Sequence, residues 1–219
     1  TSLGHKLTEL FPSLVQLKAE RSAIKGLSGI KVKAKVSAYD GETFLAEKTG
    51  DLLFNDYGVS GNSVFYLSAF LTDKNKPSLK VDFLPDYTEE EARKIIADKI
   101  ENSHFLPAHS ELLGILNKKL GELLLRNIEK RTAENITRIV KNYFIPINGN
   151  AGFDRAQVTH GGIKTSEIDE KTYESKLIDN LFIIGEALDI DGDCGGYNLA
   201  FAFSSGIACA KEINRREKP

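Results

Sequence analysis

The chain has 219 residues, with no methionine, no tryptophan, two cysteines and six prolines. It also lacks a dominant charge: 29 Lys and Arg stand against 31 Asp and Glu, for a net charge of −2. That balance supplies no field to draw in nucleic acid or an anionic membrane surface, so neither is expected as a partner. Cys194 and Cys209 fit no C-x-x-C or zinc spacing, which points to a reducing, cytoplasmic setting. No apolar run approaches the roughly 18 residues of a membrane span. Residues 1–20 carry no basic segment leading into an apolar one, as a secretory signal would. The absent methionine extends to the start, Thr1-Ser2-Leu3, so the expectation is an internal or processed piece of a longer protein.

What is present falls into three regions of different periodicity. Residues 1–86 read mostly as strands, with Gly29 to Ala38 alternating cleanly and Ser13 to Leu17 in part. Thr43 to Ala46, Leu52 to Asn55 and Leu79 to Leu84 are short apolar runs separated by turn residues, including Thr49-Gly50. This pattern predicts a small barrel or sandwich, interrupted by one helix at Asn62 to Leu71. Lys31, Lys33 and Lys35 form one solvated strand face that also discourages edge pairing. Residues 87–142 change to helical spacing: a capping box at Thr88 and Glu91, a second helix opened by Pro107 with a leucine stripe from Leu112 to Leu124, and a third from Ala133 to Asn142. From 143 onward come strands at Tyr143 to Ile147 and Ala156 to Thr159. A short, wholly apolar run at Leu181 to Ile184 reads as a strand buried on both faces, and a small-residue helix runs from about Tyr197 to Asn214.

The chemistry is concentrated between Leu181 and Asn198, where Gly185, Gly192, Gly195 and Gly196 fall in one loop. A buried strand, an acidic residue at its carboxyl end, a glycine loop and a helix N-terminus form a ligand-binding arrangement in α/β proteins. The helix end offers free N–H groups and positive potential. Glu186 can accept hydrogen bonds from sugar-like hydroxyls. Asp189, Asp191 and Asp193 have the spacing of a calcium loop. Cys194 occupies the position that needs glycine and Ala200 the one that needs glutamate, so no metal is expected.

Three stretches taken together, Gln157 to Ile163 (QVTHGGI), Thr172 to Leu177 (TYESKL) and Leu181 to Asn198 with Phe203 to Gly206 (FSSG), resemble the C-terminal signature of a bacterial family of NAD(P)/FAD-dependent oxidoreductases that includes aminoacetone-oxidase-like flavoproteins. Leu3-Gly-His5, Pro12 to Val15, Gly50 to Asn55, Gly58 to Gly61 and Leu84 to Asp86 resemble that family's upstream region. The resemblance implies an α+β fold: a β-barrel-like insert (1–86 and 143–157), a small helical subdomain (87–142), and the C-terminal strand-loop-helix of an FAD-binding α/β domain (158–219). It implies FAD contacts at Gly185, Glu186, Asp191, Gly195, Gly196, Tyr197 and Asn198, with Thr159, Gly161 and Gly162 approaching the ring from the substrate side. Tyr173 stands where such sequences often carry methionine. Two roles are open for His160, a contact to the flavin edge or substrate and, favoured, an incidental place in a backbone-spacing loop; for Cys194 they are a redox thiol beside the flavin and, favoured, a small loop residue; no residue is nominated as an obligatory acid or base.

The G-x-G-x-x-G that holds a dinucleotide pyrophosphate does not occur in this chain. The expectation is therefore part of a flavin-dependent oxidoreductase that moves hydride through FAD, with NAD(P)H or a small amine or carbonyl compound as substrate. Taken alone, the chain is expected to bind FAD weakly or not at all and to be inactive. Its C-terminal apolar faces are expected to be exposed or covered by a second copy. The alternative is a non-catalytic interaction or regulatory module.

Overall fold

A computed structural model describes residues 2–102, 111–126 and 128–217. The chain divides into two compact units, Gln16–Ala151 and a discontinuous unit made of Thr1–Val15 with Gly152–Pro219.

The unit Gln16–Ala151 is built on a closed six-stranded barrel. Its strands are β2 (Leu17–Ala19), β3 (Lys31–Asp40), β4 (Thr43–Phe54), β5 (Gly58–Ser60), β6 (Pro77–Asp82) and β7 (Tyr143–Asn150), in the order β2-β5-β4-β3-β6-β7. Alternation sends Ala34, Val36, Ala38, Leu52, Phe54, Leu79, Val81, Ile145 and Ile147 into one core. The opposite face carries charged pairs beside the exposed Phe44 and Phe144. Lys31, Lys33 and Lys35 pair with Asp51, Asp86 and Glu47 at 2.8, 2.9 and 3.0 Å. Such exposed pairs contribute about 0–1 kcal/mol each. Because β3 is flanked by β4 and β6, it has no free edge for those lysines to guard. The turn expected at Thr49-Gly50 is instead strand: β4 runs unbroken, with Gly50 opposite Ala34. Glycine is tolerated there because Asn62 closes over it: an added Cβ would meet the Asn62 Oδ1 at 2.4 Å.

A one-turn helix α1 (Arg21–Ile24) and the ten-residue α2 (Asn62–Leu71) belong to the same unit. Helix α3 (Glu89–Glu101) starts on the expected capping box: Thr88 Oγ1 accepts from the Glu91 N–H at 3.2 Å, and the Glu91 carboxylate accepts from the Thr88 N–H at 2.8 Å. A cap of this kind contributes about 1 kcal/mol. Helix α5 (Ala133–Lys141) buries Ile136 and Val140 as its spacing requires. The second helix differs from expectation. Helix α4 covers only Lys118–Leu125; Pro107 lies outside the described residues, and Leu112 to Leu116 form turns around Gly114 at φ +84°. A positive φ cannot continue a right-handed helix. The residues expected to form a separate helical subdomain share one hydrophobic core with the barrel, through Ala92, Ile96, Leu120, Leu124, Ile136 and Val140.

The discontinuous unit pairs β1 (Phe11–Ser13) with β8 (Val158–His160), antiparallel, in the register Phe11↔His160 and Ser13↔Val158. Residues 1–15, expected in the barrel, are therefore joined to the C-terminal part instead. The run Leu181–Ile184 is not a regular strand among the described residues. Phe182 makes one isolated bridge to Glu174, and Ile184 is 40% exposed. An apolar run becomes a doubly buried strand only where neighbours supply ladder partners. The unit closes with the 20-residue helix α6 (Tyr197–Arg216).

Candidate functional site

After β8 the chain meets two glycines that the packing demands. Gly161 has φ +88°, and an added Cβ would lie 2.1 Å from the Glu9 carbonyl oxygen. At Gly162, φ +154°, the Cβ would lie 2.6 Å from the Leu188 carbonyl carbon. Three main-chain segments converge there. The Thr8 N–H donates to Gly162 O at 2.9 Å and the Gly162 N–H to Thr8 Oγ1 at 3.0 Å, while the Ile163 N–H reaches Ala187 O at 2.9 Å. These glycines thus have a close-packing cause within the protein, whatever ligand they also face.

The Gly185-Glu186 turn is tied from both sides. The Gly185 N–H donates to the fully buried Ser205 hydroxyl of α6 at 3.0 Å. The Thr159 N–H donates to Glu186 Oε1 at 2.6 Å, so one oxygen of this carboxylate is engaged with β8. Asn198 is likewise occupied: its amide exchanges two hydrogen bonds with the Gly192 main chain, at 2.7 and 2.9 Å. That pairing holds the loop against the first turn of α6. Gly195 and Gly196 have φ +133° and +93°, and Gly196 is an N-cap with no side-chain cap. The first N–H groups of α6 therefore lack an intrahelical or capping partner and present positive potential. Tyr197, beside them, is largely exposed.

Asp191 is fixed by two groups. Its Oδ1 accepts from His160 Nδ1 at 2.7 Å and its Oδ2 from the Ser13 hydroxyl at 3.1 Å. The carboxylate is 15% exposed and the imidazole 39%. The His160 ring stacks on Phe11, with centroids 5.0 Å apart and planes 11° off parallel. A second network is buried beneath the N-terminal segment, where His5 Nδ1 lies 3.0 Å from Glu167 Oε2 and Nε2 lies 3.0 Å from Ser175 Oγ. Ser175 Oγ also accepts from the N–H groups of Leu177 and Ile178, both at 3.0 Å. With its lone pairs so used, the hydroxyl proton points at His5 Nε2, which places the ring proton on Nδ1 facing Glu167.

Several carboxylates are held below their ordinary range by donors. Glu212 falls to about 2 because Arg215, then Arg216, donate to it. Glu174 is lowered by Arg216, Asp169 by the Thr172 N–H, and Glu167 by the Lys6 N–H. Arg216 forms a two-pronged pair with Glu174 and lies over the Phe182 ring, tying the end of α6 to the segment it spans.

The structure brings Thr159 to Glu186, Gly185 to α6, and Asn198 to Gly192, all among the residues singled out from the sequence. Thr8, Phe11 and Glu167 were not singled out, and His5, Ser13 and Ser175 stood in the resembling stretches without a role. The pairings that join these N-terminal residues to the C-terminal part span 145 to 178 residues, and no local pattern marks them. Along α6, Leu199, Phe203 and Ile207 are 66%, 70% and 57% exposed, an apolar face of the kind expected from the sequence. Among the described residues no helix is long and apolar enough to cross a membrane.

Residues 1–212 match the model of the HI0933-like protein Rossmann domain family. The chain is 33% identical to the 3-dehydro-bile acid delta(4,6)-reductase of Clostridium scindens, over 98% of this chain and 56% of that protein. It is 33% identical to the ribosomal RNA dihydrouridine synthase of Haemophilus influenzae, over 88% and 48%, and 29% identical to that of Escherichia coli, over 85% and 47%. The chain thus spans about half the length of these curated relatives. The family is flavin-associated.

Proposed function

The chain belongs to the HI0933-like protein Rossmann domain family, and on that premise we propose that it is part of a flavin-dependent oxidoreductase that reduces a carbon–carbon double bond conjugated to a carbonyl. The relatives' names carry the reaction class. A 3-dehydro, delta(4,6) bile acid is a conjugated dienone, and a dihydrouridine synthase saturates the double bond beside a uracil carbonyl. One structural observation supports the cofactor: the uncapped start of α6 behind Gly195 and Gly196, with the Gly185-Glu186 turn hydrogen-bonded to β8. That end would face the pyrimidine edge of the isoalloxazine ring, where reduction deposits negative charge. The free oxygen of Glu186 would accept from ribityl hydroxyls. When bound, FAD supplies a two-electron hydride donor at N5, recharged by NADH or NADPH.

The substrate in this reading is a small apolar enone. The near-zero net charge and the match to the bile acid reductase over 98% of this chain support it. Uridine in RNA is the second reading, supported by the two dihydrouridine synthases among the relatives. The chain would act with a dinucleotide-binding segment that it does not itself contain, and the apolar face of α6 would pack on that segment or on a second copy. Purified protein spanning the whole reading frame should be yellow, and its flavin should be bleached anaerobically by NADH or NADPH and recoloured on adding a steroid enone. A flavin-free protein, or one that no enone and no uridine-bearing RNA reoxidises, would overturn the proposal.

A further inference from the structure

His160 is held by two groups, one of them anchored in turn by a third. Phe11 covers one ring face, Asp191 takes Nδ1 at 2.7 Å, and Ser13 fixes the other oxygen of that carboxylate. Ser13 is buried and the Asp191 side chain nearly so. The main chain on either side is equally constrained: Thr159 by Glu186, and Gly161 and Gly162 by the carbonyls that a Cβ would strike. The His160 side chain stays 39% exposed, and Nε2 has no partner among the described residues. A histidine serving only as a pin between β8 and the 191 loop has no need of a part-exposed ring whose second nitrogen is unpartnered among the described residues. This is the arrangement of an oriented acid–base group: one nitrogen anchored by a carboxylate, the other free to exchange a proton with a bound molecule.

Resting on the reading of the chain as part of an enone reductase, we propose that His160 is the proton donor of that reaction and Asp191 its positioning residue. Reduction of a conjugated double bond takes up one hydride and one proton. The hydride forms a C–H bond at the carbon β to the carbonyl, and the π pair moves onto the α carbon and carbonyl oxygen. The Nε2–H bond of the imidazolium then breaks, and its proton forms the C–H bond at the α carbon. The neutral imidazole keeps its Nδ1 proton on Asp191 and regains the Nε2 proton from water. The two electrons come from a reduced nicotinamide dinucleotide, which leaves oxidised. Among the described residues, the charged groups tied to this segment are Asp191, from the loop before α6, on the ring itself and Glu186 on the main chain of the preceding Thr159.

The test has two arms. In the first, nitrogen-15 NMR of the chain as it stands should show His160 carrying its proton on Nδ1 when neutral, and Asp191→Asn should shift that population toward Nε2. An unchanged tautomer in Asp191→Asn would overturn the positioning role. In the second, holoprotein from the whole reading frame is assayed in deuterated water with a steroid enone. His160→Gln should bind flavin as the parent does and lower turnover about 10²-fold or more. Solvent deuterium at the α carbon should lose its single-face stereochemistry, a change that a purely structural defect would not produce. If the parent reduces the enone and His160→Gln does so at the same rate and with the same stereochemistry, the proton-donor assignment is overturned and the reductase reading stands. If the parent reduces no conjugated carbonyl compound, the reading fails and the assignment falls with it.

Discussion

Removing one oxygen atom, in Ser175→Ala, tests how the discontinuous unit holds its N-terminal segment. Ser175 is 6% exposed and His5 3%. The hydroxyl donates to His5 Nε2 and accepts from the N–H groups of Leu177 and Ile178. Alanine leaves the buried His5 nitrogen without this donor, at about 1–3 kcal/mol. The two N–H groups lose an acceptor worth about 0.5–1.5 kcal/mol each, toward the low end because Leu177 is half exposed and water can replace it. The sum is about 2–4 kcal/mol. Equilibrium denaturant unfolding should show it as a lowered midpoint. Hydrogen exchange should localise it: the Thr8, Ile163 and Lys164 amides should lose protection, while Val36 and Leu52 in the barrel keep theirs. Ser204→Ala, an exposed hydroxyl that donates only to Phe201 O, serves as control and should change stability by less than about 0.5 kcal/mol. A Ser175→Ala protein within about 0.5 kcal/mol of the parent, with unchanged exchange at Thr8, would refute the reasoning.

Four further outcomes are expected. Glu212, Glu174, Asp169 and Glu167 all titrate below their ordinary range when folded. The unfolded chain therefore binds more protons there, and stability rises with pH through that range. Their contribution is complete above roughly pH 5 and fades as pH falls toward about 2 for Glu212; a Glu212→Gln chain should show a shallower acid limb in pH-dependent unfolding. Gly162→Ala should cost about 1–3 kcal/mol by forcing the 187–188 carbonyls apart, and should lower flavin content in holoprotein measured by absorbance. Lys141→Ala removes the ammonium that bonds Asp82 at 2.7 Å and the carbonyls of Leu84 and Tyr87; a loss of about 1.5–3 kcal/mol should appear as an earlier barrel transition. The chain by itself should self-associate through α6, and Phe203→Glu should shift sedimentation toward monomer. A parent chain that stays monomeric at every concentration would count against that face being sticky.

The elements whose causes are local were legible in the sequence. Helix α2 appears between the expected residues because its apolar spacing is unbroken, and α3 starts at Thr88 because the capping box satisfies two N–H groups within four residues. Strand β3 follows its alternation. What could not be read depends on distant partners. Thr49-Gly50 has the composition of a turn, yet β3 holds it in the ladder, opposite Lys35 and Ala34. Leu181 to Ile184 has the composition of a buried strand but lacks ladder neighbours. At the candidate site, the glycine positions and Glu186 were visible as a motif. The clamp on His160 was not, because Phe11 and Ser13 reach it across some 150 residues of intervening chain. For His160 the sequence favoured an incidental place over a contact to flavin or substrate, and the clamp is what reverses that order.

The two units differ in how the ribosome delivers them. Gln16–Ala151 is contiguous, and its first and last strands are neighbours: β2 pairs with β7, and the Ala151 N–H donates to Gln16 O at 2.9 Å. Everything this barrel needs has been synthesised once residue 151 emerges, so it can close as a free-standing intermediate. The other unit must wait. Residues 2–15 stay without their strand partner until β8 arrives nearly 150 residues later, and a closed barrel shortens that search because its own ends, Gln16 and Ala151, are already hydrogen-bonded to each other. The barrel is therefore a loop that closes itself, and its folding is the step that makes the clamp on His160 reachable.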